Sequence, residues 1–85
     1  MLQIADDAVD ALRELGGLRI TAEEVDGEVE LSIFDATEPE AGDEIVERDG
    51  VRVFLDTMAA EALADQVLGI HGHDDHFHFE FSEQQ

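Results

Sequence analysis

The sequence predicts a small α+β protein, and three observations carry that prediction. A stretch with helical apolar spacing comes early, several runs alternate apolar and polar residues, and two Asp-Gly dipeptides separate such runs. Asp-Gly between apolar runs signals a hairpin, because glycine takes positive φ without steric strain. Helix, strands, helix, strands is the order of an α+β chain built on antiparallel pairs. At 85 residues the chain is expected to be a single domain, 1–85, with 82–85 frayed.

Met1 to Ile4 is a short apolar lead. From Asp6, the residues Ala8, Val9, Ala11, Leu12 and Leu15 fall on one side of a helix of about ten residues. Asp6 and Asp7 suit the positive end of its dipole, and Gly16-Gly17 ends it. Leu18, Ile20 and Ala22 alternate with polar residues as a first strand. After Asp26-Gly27, Val29, Leu31 and Ile33 form a second strand. Thr37 to Asp43, with Pro39 and Gly42, reads as a loop. Asp43 to Ala64 carries the densest signal: a strand, the Asp49-Gly50 turn, a strand through Val51, Val53 and Leu55, and a short helix from Thr57 to about Ala64. Asp56 or Thr57 stands at its N-cap. Two last strands, Gln66 to Ile70 and His76 to Phe81, bracket a polar turn.

Charge narrows the function classes. Twenty-three acids face four arginines and no lysine, a net charge of −19. Such a field repels phosphate backbones and acidic membrane surfaces, so neither nucleic acid nor membrane is an expected partner. Two explanations of the acidity stand side by side: a surface for basic partners or cations, and an acid-dense surface serving solubility at high salt. No apolar run approaches the roughly 18 residues of a membrane span. Asp6 and Asp7 stand where a secretory signal needs positive charge, so a cytoplasmic location is expected.

The four histidines cluster at His71, His73, His76 and His78. A four-residue turn over 72–75 would set His71 opposite His76, Ile70 opposite Phe77 and Leu68 opposite Phe79. Alternation then lines the core with Leu68, Ile70, Phe77, Phe79 and Phe81. His71, His76, His78 and Glu80 share the other face, where facing Cβ atoms lie about 4.5–5.5 Å apart. Three imidazoles and a carboxylate suit zinc, nickel or iron, and Asp74 and Asp75 could add oxygen ligands. The plainer explanation is that an outward strand face must be polar and histidine fills it.

Enzymatic chemistry finds no support. Ser32 and Ser82 lie in no nucleophile motif, and no glycine-rich phosphate loop opens a helix. The absence of cysteine excludes thiolate metal sites, disulfides and cysteine nucleophiles.

The segments LQIADDAVDALREL, GLRI and GDEIVERDGVRVFLD, with Leu63 in the helix that follows, resemble the HesB-like, or A-type, iron–sulfur carrier family over nearly the whole chain. The resemblance implies two packed, mostly antiparallel β-sheets with an N-terminal and a second short helix, often dimeric. It also implies a part in iron–sulfur cluster biogenesis, which the family performs through three cysteines. This chain departs there: Glu24-Val25-Asp26-Gly27 replaces the GCSG-like turn, with Val25 in the first cysteine's place, and the sequence ends at Gln85 without a CGCG-like tail. An accessory domain binding a protein partner or a second copy is therefore expected, without a cluster of its own. The alternative is a divalent metal site at His71, His76, His78 and Glu80.

Overall fold

The computed structural model describes residues 1–73 and 76–84, the side chains of His73, His76 and Phe77 apart. Among them, seven strands and two helices form two mixed sheets with a core between. Strand β1 (Gln3–Ile4) leads into α1 (Asp6–Leu15), whose Ala8, Val9, Ala11 and Leu12 are buried. Gly16 caps α1 in the left-handed region, its N–H donating to the Leu12 carbonyl at 2.9 Å. Gly17 has a separate reason to be glycine. Its φ is +142°, and a Cβ there would lie 2.2 Å from the Ala36 carbonyl oxygen. The backbone thus passes too close for any side chain.

The larger sheet runs β3 (Glu28–Asp35), β2 (Leu18–Val25), β5 (Val51–Leu55), β4 (Glu44–Arg48). Asp26 and Asp49 each take positive φ ahead of glycine, so both predicted Asp-Gly hairpins form with two-residue turns. Between the hairpins, β2 and β5 pair in parallel, Leu18 with Val53 and Ile20 with Leu55. The smaller sheet is β1, β6 (Gln66–His73), β7 (His76–Glu83), with β1 parallel to β6. Leu2, Ile4, Leu12, Leu18, Ile20, Val53, Leu55 and Leu68 are the heart of the core.

Helix α2 (Thr57–Ala62) starts at Asp56, whose carboxylate accepts the Ala59 N–H at 2.7 Å. The same carboxylate accepts the Ala22 N–H at 3.3 Å, which ties α2 to β2. Because β3 and β4 lie at opposite edges, residues 36–43 must cross the sheet. Arg19 holds that crossover: it donates to both Asp43 oxygens at 3.0 Å and pairs with Glu40 at 3.0 Å. Arg52 shares that face, 5.4 Å over the Phe54 ring, and reaches the Thr37 carbonyl at 3.5 Å. Phe54 is 1% exposed there. The loop expected over Thr37 to Asp43 is thus an anchored crossover.

Ser82 and Glu83, expected at a frayed end, instead pair with Val67 and Gln66. The Gln84 side chain donates to the carbonyls of Met1 at 2.8 Å and Gln66 at 3.1 Å. Gln85 lies outside the described residues. Among the described residues, no helix is long and apolar enough to cross a membrane.

Candidate functional site

Strands β6 and β7 carry the histidines on one antiparallel hairpin. Strand β6 runs on to His73 and β7 starts at His76, so His73 pairs with His76 and His71 with His78. This corrects the expected four-residue turn and the pairing of His71 with His76. Ile70 likewise faces Phe79, and Leu68 faces Phe81. A shift of two residues keeps every side chain on its face, because the strand period is two. Leu68, Ile70, Phe79 and Phe81 therefore turn to the core, as the alternation predicts.

On the outer face the imidazoles of His71 and His78 lie 5.2 Å apart between ring centroids, tilted by 44°. Both are exposed. Glu80 stands opposite Gly69, one step along the same face. Helix α1 brings Asp7 toward it: Asp7 Oδ1 lies 3.7 Å from where a Cβ on Gly69 would sit. No periodicity signals that approach, because it depends on where the α1 N-terminus meets β6. His76 is placed on β7 by its backbone alone, and Asp74 and Asp75 lie outside the described residues. Among the described residues, no three of His, Cys, Asp and Glu gather closely enough to hold one metal ion.

Elsewhere the charges are neutralised in a one-sided way. Each arginine is engaged within the chain: Arg13 with Asp10 and the Asp49 carbonyl, Arg19 with Asp43 and Glu40, Arg48 with Asp6 and the Ile4 carbonyl, and Arg52 with Thr37 and Phe54. The Arg19 guanidinium, hydrogen-bonded to Asp43, holds that carboxyl below the usual range, while its burial opposes this. The Arg19–Asp43 pair and its role in the crossover have no motif that announces them. Their faint signal is an arginine in an acid-rich strand before a Pro- and Gly-containing loop.

Two mixed sheets packed with two helices, in this order, make the chain a protein of HesB-like fold. The solved structure of IscA with its 2Fe–2S cluster has this fold: TM-score 0.79 at 19% identity, covering 98% of this chain and 85% of that one. Escherichia coli SufA, involved in the biosynthesis of iron–sulfur clusters, gives TM-score 0.83 at 19% identity, covering 96% of this chain and 79% of that one. At this identity the likeness is one of fold. No protein-family profile and no curated protein sequence matches the chain.

The donor chemistry does not fit an iron–sulfur cluster. Cluster irons are held overwhelmingly by thiolates, and the 85 residues contain no cysteine. Val25, in the place the resemblance gives to the first cysteine, ends β2 beside the Asp26-Gly27 turn and offers no donor atom.

Proposed function

We propose that this chain is a non-enzymatic, cytoplasmic protein of iron–sulfur cluster biogenesis that works by binding a protein partner and does not carry a cluster itself. One observation carries the reading: a fold shared with IscA and SufA over nearly the whole chain, in a sequence without a thiolate. A scaffold that keeps its core and lacks its ligands retains surfaces, and surfaces bind partners. Anaerobic reconstitution with iron and sulfide, followed by desalting, tests the first half. A colourless protein is expected, and a retained visible chromophore overturns it. Affinity capture tests the second half. Recovery of cluster-assembly proteins is expected, and recovery of the chain alone counts against it.

A second reading is favoured by the close approach of the His71 and His78 rings. A divalent cation such as zinc, nickel or iron would take these two imidazoles first, and Glu80 and His76 would have to close on it as further ligands. Calorimetric titration with zinc and nickel decides. Saturable binding that His78→Ala abolishes supports the site, and its absence removes it.

A further inference from the structure

Strand β3 closes the larger sheet at an edge where, among the described residues, no other strand pairs with it. All eight of its residues are exposed. The hydrogen-bond phase shows which backbone groups face outward. The Ala36 N–H donates to the Gly17 carbonyl at 3.3 Å, one step beyond the Leu18–Asp35 pair. Antiparallel pairs alternate between bonded and non-bonded, so Phe34, Ser32, Glu30 and Glu28 bond to β2. The other side of β2 agrees: the Ile20 carbonyl accepts from Asp56 N–H at 3.2 Å, and Ala22 N–H donates to the Asp56 carboxylate. The residues paired with Ile20 and Ala22, namely Ile33 and Leu31, therefore present N–H and C=O to the open edge, as does Val29.

The side chains of these three residues form an apolar row on one face, 50% exposed at Val29, 36% at Leu31 and 38% at Ile33. Glu28 and Glu30 lie on the opposite face, beside Glu23 of β2. Strand β3 contains no basic residue, and the one arginine of β2, Arg19, is committed to Asp43.

Resting on the partner-binding reading above, we propose that the β3 edge accepts an extended segment of a partner protein in which apolar residues alternate with lysine or arginine. Such a segment adds a fifth strand. Its apolar side chains continue the Val29, Leu31 and Ile33 row, and its cations meet Glu28 and Glu30 on the other face. Charge selects this occupant over a second copy. A second copy brings another net charge of −19 and a β3 strand with no basic residue to meet Glu28 and Glu30.

The test uses the 85-residue chain and a capped decapeptide alternating lysine with valine. In the added strand the valines face Val29, Leu31 and Ile33, so their N–H groups make the new ladder. A second peptide, N-methylated at the valines, keeps the charge and loses the ladder. The first peptide is expected to bind and to slow amide exchange at Leu31 and Ile33, and the methylated one to bind about tenfold or more weakly. Equal binding of the two peptides means diffuse charge attraction and overturns the proposal. So does unchanged exchange at Leu31 and Ile33, or a dimer in sedimentation whose β3 amides are already protected. Each of these failures leaves the partner-binding reading to another surface, because affinity capture scores that reading independently.

Discussion

Strands β5 and β3 belong to one sheet and read alike, yet they live in opposite surroundings. In β5, Val51, Val53, Phe54 and Leu55 are buried, because strands flank it on both sides, the core covers one face and the crossover lies on the other. In β3 every residue is exposed, since β2 covers one edge only. Alternation sets which side chains share a face; neighbours set whether that face is dry. The same apolar residues therefore stabilise the fold in β5 and remain available for contact in β3.

Truncation should separate the two strands most sharply. Leu55→Ala, at a fully buried site, is expected to remove about 2–5 kcal/mol, a large part of the about 5–15 kcal/mol that holds a domain together. Chemical denaturation measures it, and a loss near zero would mean that β5 is not the central strand. Gly17→Ala comes next. It forces a Cβ against the Ala36 carbonyl oxygen at a φ of +142°, a strain of about 1–3 kcal/mol. Its effect should appear as a lower denaturation midpoint with an unchanged slope.

The pair beneath the crossover is a smaller, pH-dependent contribution. The folded state holds the Asp43 carboxyl below its usual range, chiefly through the Arg19 hydrogen bonds. The folded state thus favours ionised Asp43. That stability is present above the ordinary carboxylate pKa and is lost as pH falls through the lowered folded value. Acid also weakens the self-repulsion of a chain of net charge −19, so the raw melting curve mixes the two effects. The difference between wild type and Asp43→Asn isolates the pair: a few degrees at neutral pH, shrinking in acid below about pH 4. A gap that stays constant into acid would assign the loss to packing instead.

How far the sequence foretold all this depends on the range of each interaction. Helix α1, the hairpins β2–β3 and β4–β5, and the Asp56 cap were legible because period, Asp-Gly turns and capping chemistry are local. The parallel pairings β1–β6 and β2–β5 were not, since they join distant segments and leave no local pattern. Strand β1, at Gln3–Ile4, is too short to show any period. In the C-terminal hairpin the alternation placed His71, His78 and Glu80 on one face. Pairing depends on where the strands end, and β6 continuing to His73 sets His71 against His78. Gly17 looked like a second helix cap and proved to be the point where the backbone meets Ala36.

The smallest effect bears most directly on whether β3 is open. Val29→Thr keeps the branched shape and strand preference and replaces a methyl with a hydroxyl at a half-exposed site. The hydroxyl stays hydrated, so stability should move by no more than about 0.5 kcal/mol. An uncovered edge also predicts that this result is independent of protein concentration. If β3 were instead packed against a second copy, the hydroxyl would enter a dry interface. The melting temperature would then fall, more steeply as concentration rises and the dimer supplies more of the stability. Melting Val29→Thr at two concentrations therefore distinguishes an edge awaiting a partner from one already covered.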